Sequence, residues 1–221
     1  MQKRIIAVTD LNVTFQPKLT FLSEEDKKKI YQAALKVLEE TGMQIMHDDA
    51  VDLLKKAGCR TNELGHMVIP ASLVEQAIAT APNNIPMYDR EGRLVMDLGG
   101  RRAYYGTGSD LMYALESETM ERHHCRLNDV KRAARVADAL PNIDFIMSFA
   151  HPHEIDPQRA YLESFKAMAE NSTKPIVCTS DSRDDLSQMW ELSKILRGSE
   201  AELRAKPYWV QYAEPISPLK H

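Results

Sequence analysis

Four strand-like runs in the C-terminal part of the chain recur at a nearly fixed interval, and that interval restricts the fold more than any other feature. They are RAYYGTG (102–108), IDFIMSFAHP (143–152), KPIVCTSD (174–181) and KPYWVQYAEP (206–215). Helical periodicity fills the gaps at 127–140, 158–170 and 184–197. Alternating strands and helices predict a parallel sheet, because a helical crossover is what returns the chain to start the next parallel strand. Phe145 to Ile176 is 31 residues and Ile176 to Tyr208 is 32. A (β/α)8 barrel of roughly 250 residues needs about 31 per unit, although open doubly wound sheets have similar periods. The longer first interval holds LMYALESETMERHHC, read as a hairpin that folds back around Ser117 to Thr119.

The residues before Gly100 follow a different rhythm. An extended or disordered arm is expected over 1–20. Ser23 then caps a helix with Ile30, Ala34, Val37 and Leu38 on one face, closed by Gly42. A second helix is expected from His47 to Ala57, with Asp48 and Asp49 at its positive end and Gly58 after it. HMVIP reads as a strand, and Pro70 opens a third helix, Ala71 to Thr80. IPMYDREGRLVMDLGG is a hairpin pattern about Glu91-Gly92. These elements make a helical head with small hairpins over 21–100.

Composition removes several function classes. Of the 221 residues 43% are hydrophobic and 27% charged, and the net charge is -4. No run of about eighteen apolar residues could span a bilayer. Lys and Arg are interspersed with Asp and Glu, so no basic stripe exists to neutralise phosphates, and nucleic-acid binding is not expected. Asp10 and Asn12 interrupt any signal-peptide core. Cys59, Cys125 and Cys178 are scattered and odd in number, which suits free thiols in a reducing cytoplasm.

Candidate chemistry gathers where the strand-like runs end. Tyr104-Tyr105-Gly106-Thr107-Gly108-Ser109-Asp110 fails as a phosphate loop: it has two glycines of the three in a dinucleotide fingerprint, no Lys-Ser/Thr pair, and a hairpin after it. A tight turn that brings backbone close to a ligand fits it better. His151 and His153, two apart in a strand, would point the same way and could share a metal. No third or fourth ligand is marked, so the favoured reading is a polar strand end, and no metal is expected. His123-His124-Cys125 lies on a hairpin arm whose neighbours face opposite sides. No G-x-S-x-G elbow or recognisable Cys and His pair is present. Asp110, Glu154, Asp181 and Glu214 end strands and suggest an acidic rim, with Tyr104, Tyr105, Phe149, Trp209 and Tyr212 nearby. Carboxylates with aromatic faces suit an ammonium ligand; Trp209 and Phe149 fit the core equally well.

The ordered succession TGMQIMHDDAVDLLKKAGC, VIPASLVEQAIATAP, YYGTG, ADALPNIDF, NSTKPIV and ISPL resembles the trimethylamine methyltransferase family, whose members include glycine betaine and other quaternary-amine methyltransferases. The likeness runs from about Phe21 to the last residue and covers the first half of a family member. It implies a TIM (β/α)8-type barrel with its first four or so βα units at 101–221, after the arm and the helical head. It also implies transfer of a methyl group from a methylated amine to the Co(I) corrinoid (cobalamin) of a separate partner protein, with no corrinoid held by this chain. No residue is assigned a catalytic role, and members acting on trimethylamine use a pyrrolysine in the later half. On this reading Tyr105, Gly106, Thr107, Gly108, Glu214 and Ser217 line the barrel mouth, with Tyr104 or Tyr212 as ammonium-facing aromatics. A homo-oligomer is expected, and the connection begun at Pro218 should lead into further βα units, without which the piece alone would be inactive. Two other readings compete: a non-catalytic methylamine-binding or oligomerisation module, and a metal-dependent barrel hydrolase using His151 and His153.

Overall fold

The computed structural model describes residues 19–180 and 182–221. Nearly all of the arm expected over 1–20, and the strand-end residue Asp181, lie outside the described residues. The chain divides into a unit up to Ala79 that includes Ile216–His221, and a second unit, Thr80–Pro215.

In the first unit, α1 (Glu24–Lys36) begins where the Ser23 hydroxyl accepts the Asp26 N–H at 3.1 Å, and it runs on as a π turn, Val37–Thr41. Gly42 ends it at φ +71°, a conformation that favours glycine; a Cβ there would also sit 2.6 Å from the Met67 carbonyl oxygen. The stripe of apolar residues along this helix is not what it buries. Ile30 and Val37 are 58% and 41% exposed, and Leu35, on another face, is 5% exposed. The strand segment meets this helix at its end instead, where the Ile69 N–H donates to Leu38 at 2.9 Å. Next come α2 (Asp48–Lys56), the short antiparallel pair β1 (Arg60–Thr61) and β2 (Met67–Val68), and α3 (Ala71–Thr80). The C-terminal segment returns to this unit, where the Gln44 N–H donates to Leu219 and the Met46 N–H to His221, both at 2.8 Å.

The second unit opens with the expected hairpin, β3 (Asn84–Tyr88) and β4 (Leu94–Gly99), and continues with a second one, β5 (Tyr113–Leu115) and β6 (Arg122–His124). Then α4 (Leu127–Ala139), β7 (Ile146–Met147), α5 (Pro157–Asn171), β8 (Ile176–Cys178), α6 (Arg183–Arg197), α7 (Glu200–Ala205) and β9 (Trp209–Gln211) alternate. The strands β7, β8 and β9 pair in parallel in that order. The expected strand at 102–108 is reduced to parallel bridges on the free side of β7, Gly106 to Phe145 and Leu111 to Ala150. Gly106 is needed there, since a Cβ would lie 2.3 Å from the Phe145 ring. The order along the layer is therefore the order along the chain.

The helices cover one side of this layer. Phe165 and Met168 from α5, Val130 and Ala134 from α4 and Met189 from α6 bury themselves against Ile146, Ile176, Cys178 and Tyr208. Each large apolar side chain removed from water contributes about 1.5–3 kcal/mol. The β3–β4 hairpin is fixed at the edge where the strands begin. Tyr88 N–H donates to Pro207 at 2.9 Å and Arg90 N–H to Thr173 at 2.7 Å, both just ahead of strands. Arg197 holds the hairpin turn by donating from its two terminal nitrogens to the Asp89 and Arg90 carbonyls, at 2.8 and 2.9 Å.

Asp138, at the end of α4, ties that helix to the start of β8. Its Oδ1 accepts from the Ser172 hydroxyl at 2.8 Å and the Thr173 N–H at 2.9 Å. Burial alone would raise its pKa, but these donors and Lys174 outweigh it and hold the carboxyl below its usual value. A depressed folded-state pKa adds stability above the unfolded value, which is lost as pH falls through the folded one. Asp138→Ala is expected to cost about 2 kcal/mol at neutral pH, because it strands buried donors, and less under acid. Urea melts of both proteins between neutral pH and pH 3 check this; a constant difference across that range counts against the ion's role.

Candidate functional site

The strands have an entrance and an exit edge, and the backbone bonds say which residues lie at each. The Tyr105 carbonyl accepts the Asp144 N–H at 2.6 Å, and Asp144 precedes β7. Tyr104 lies beside the β4 hairpin strand, its hydroxyl accepting the Asp97 N–H at 2.9 Å. Tyr104 and Tyr105 are thus level with strand starts, and Tyr105 is 69% exposed there. Gly106 bridges to Phe145 alongside β7, and the Thr107 hydroxyl accepts the Met147 N–H at 2.8 Å; Gly108 follows, exposed. Tyr212 and Glu214 come after β9, at the exit edge. Ser217 belongs to the first unit, in the Ile216–Lys220 turn.

The exit edge gathers Asp110, Ser148, Thr179, Tyr212 and Glu214. Asp110 N–H donates to the Ser148 carbonyl at 2.6 Å, and the Ser148 hydroxyl accepts the Thr179 N–H at 3.0 Å. The Thr179 hydroxyl lies 3.5 Å from the Asp110 carboxylate. Asp110 itself is in the left-handed region at φ +56°, one of the few side chains that tolerate it, and the chain kinks there toward β5. The Tyr212 hydroxyl donates to Glu214 at 2.6 Å. Its pKa is raised, first by that hydrogen bond, then by the Glu214 charge, with burial and the Asp110 charge adding to it. Two carboxylates thus act on one phenol at the mouth of the layer, an arrangement that favours a cation over an anion.

A pocket of about 330 Å3 opens beside Asp110, lined also by Met112, His124, His151, His153 and Tyr161. His124 and His153 stack with ring centroids 4.3 Å apart and planes 18° apart, and His151 meets the Tyr161 ring edge-on at 5.5 Å. His123 points the other way from His124 and pairs with Asp129 at 3.1 Å, as alternation along β6 requires. Glu154 is occupied elsewhere, accepting the first free N–H of α4, from Leu127, at 2.8 Å. Phe149 and Trp209 pack against the core, Trp209 edge-on to Phe165 at 5.6 Å.

Among the described residues no group of three or more His, Cys, Asp or Glu side chains is arranged to hold a metal ion. Burial pushes the Cys178 thiol up to about 12, so the cysteine nearest the strand ends is not a thiolate nucleophile. No helix among the described residues is long and apolar enough to cross a membrane. Sequence reasoning singled out Asp110, His151 and His153, weighed His124 only with His123 as neighbours on a hairpin arm, and passed over Tyr161; these two reach the pocket from β6 and from the first turns of α5.

Parallel strands alternating with helices make the second unit an α/β arrangement, and the carboxylates and aromatic rings beyond the C-terminal ends of its strands are its candidate site. Comparison with known proteins narrows this: the profile of the family described as Trimethylamine methyltransferase (MTTB) matches residues 3–221. The chain belongs to that family. It is 26% identical over 203 residues to the trimethylamine methyltransferase MttB of Desulfitobacterium hafniense (strain DSM 10664 / DCB-2), covering 91% of this chain and 41% of the relative. It is 24% identical to the glycine betaine methyltransferase of Desulfitobacterium hafniense (strain Y51), covering 93% and 43%. With the trimethylamine methyltransferase MttB of Methanosarcina thermophila it shares 25% identity, over 97% of this chain and 46% of the relative. The chain therefore spans less than half the length of these curated relatives.

Proposed function

We propose that this chain forms the first βα units of a (β/α)8 methyltransferase that takes a methyl group from a methylated amine. The observation that carries the reading is the Tyr212 hydroxyl donating to Glu214 at 2.6 Å, with the Asp110 carboxylate 3.5 Å from the Thr179 hydroxyl at the same strand-exit edge, in a chain matched almost end to end by the family profile. Sequential parallel order from Gly106 through β9 supports a barrel over a doubly wound sheet, which reverses strand order at a switch point.

The chemistry asked of these residues is modest. Carboxylates attract the cationic nitrogen, and the Tyr212 ring offers a face to its methyl groups. Holding the N–CH3 bond in line with an acceptor turns a bimolecular encounter into an oriented one: as the acceptor bonds to the methyl carbon the C–N bond breaks, and the cationic nitrogen keeps that electron pair and departs as a neutral amine. The acceptor we propose is the Co(I) corrinoid of a partner protein, which when bound supplies the nucleophile. The side chains at the strand exits fit that division of labour, since the thiol nearest them is un-ionised and no nucleophile is asked of this chain.

The test is a chimera with residues 1–221 in place of the matching part of the Y51 relative. Given a Co(I) corrinoid protein and trimethylamine, glycine betaine, carnitine or proline betaine in turn, it is expected to bleach the Co(I) absorbance with at least one. A folded chimera that leaves the absorbance unchanged with every amine, yet binds them, points instead to a non-catalytic binding module.

A further inference from the structure

We propose that Ser148 is a positioning residue of the exit edge, one that holds the Asp110 carboxylate and the Tyr212 segment in a single fixed arrangement. This rests on the ammonium reading above and names what keeps its two sides in place.

Ser148 is 2% exposed and stands where β7 stops pairing regularly. Up to that point β7 and β8 follow the parallel ladder: the Ile146 N–H donates to the Pro175 carbonyl at 2.9 Å, and the Ser148 N–H to the Val177 carbonyl at 3.1 Å. Continued, that register gives the Thr179 N–H to the Ser148 carbonyl. It goes instead to the Ser148 hydroxyl, at 3.0 Å, and the carbonyl so released accepts the Asp110 N–H from the other side of β7, at 2.6 Å. The side chain thus stands in for a ladder acceptor, and the exchange lets the chain close on β7 where Asp110 kinks at φ +56°.

The effect is carried outward through one peptide. The unit that donates its N–H to Ser148 joins Cys178 to Thr179, and its carbonyl accepts the Tyr212 N–H at 2.8 Å. A peptide unit is planar and stiff, so a bond at one end orients the other. Thr179, β-branched and restricted at χ1, then places its hydroxyl 3.5 Å from the Asp110 carboxylate. Ser148 therefore holds the Asp110 backbone directly, and reaches the Asp110 carboxylate and Tyr212 through the β8 exit. With alanine at 148 the N–H groups of Thr179 and Asp110 compete for one carbonyl, and the carboxylate loses its fixed place.

Titration calorimetry of the 221-residue chain with tetramethylammonium tests this, together with ultraviolet titration of the Tyr212 phenol, assigned against Tyr212→Phe. Ser148→Ala with native circular dichroism is expected to lower the affinity about fivefold, the equivalent of one hydrogen bond. The Tyr212 phenol should move down as well, since Glu214, the larger cause of its raised pKa, stays while the Asp110 charge is no longer held nearby. In an Asp110→Asn background the same substitution should change the affinity by less than about twofold, because the charge that Ser148 positions is already gone. A loss that stays about fivefold there marks a general loosening of the edge and overturns the proposal. So does a Ser148→Ala protein with native affinity or an unmoved phenol. Ser148→Cys, which nearly keeps the volume and offers sulfur, a weak acceptor, replaces Ser148→Ala if alanine unfolds the chain. A native chain that binds no tetramethylammonium overturns the ammonium reading; an unmoved phenol in Ser148→Ala then overturns the role of Ser148 separately.

Discussion

Phe165→Ala is expected to remove about 3–5 kcal/mol from the stability of the second unit, the range for truncating a buried aromatic in a core that cannot collapse around the gap. Phe165 is fully buried at the centre of α5, edge-on to Trp209 and packed in the cluster with Met168 and Ile176. Its neighbours are held by elements on three sides, so relaxation into the void is limited. Against a total of about 5–15 kcal/mol for a typical domain this is a large fraction. Urea melts followed by tryptophan fluorescence report it, because Trp209 touches the substituted ring. Lys166→Ala, one residue on and exposed, should stay within about 0.5 kcal/mol. A midpoint shift for Phe165→Ala no larger than that of Lys166→Ala would show that the cluster is not the core of this unit.

The helices that carry that core were readable in the sequence, though not which of their residues it holds, because helices announce themselves twice, by period and by caps. Ser23 and Ser182 both accept the N–H three residues on, at 3.1 Å, and Gly198 closes α6 in the left-handed conformation. Strands announce less. β7, β8 and β9 have two or three paired residues each, so the runs at 143–152 and 206–215 mark position but not extent. The six-residue α7 escaped notice because Glu200–Ala205 is too short to show a period. At the candidate site, glycines 106 and 108 read as the end of a strand, whereas the chain stays in parallel register until Leu111. Composition cannot tell a kink within a strand from its exit, and this is why the sequence groups Tyr104 and Tyr105 with Tyr212 while the structure sets them at opposite edges. The histidine pocket was half legible. His151 and His153 share a strand end, but His124 and Tyr161 join them only through tertiary packing.

Asp110→Asn separates charge from shape more cleanly than any other change at the exit edge. Asparagine has nearly the same volume, keeps an acceptor for the Thr179 hydroxyl, and tolerates the left-handed backbone at φ +56°, so the fold should persist. What disappears is one negative charge facing the cation. Two unit charges about 4 Å apart interact by about 1 kcal/mol in water and about 4 kcal/mol near a protein surface, so affinity for tetramethylammonium should fall about 10- to 100-fold. Because the lost interaction is Coulombic and near solvent, the gap between the two proteins should narrow as salt rises from low to about 1 M. Tyr212 gives a second readout inside the same molecule: with the Asp110 charge gone its raised phenol pKa should move down, though not to normal, since Glu214 remains the larger cause. Calorimetry across the salt range and ultraviolet titration of the phenols measure the two effects separately. Affinity within about twofold of the native chain at low salt would remove Asp110 from the site.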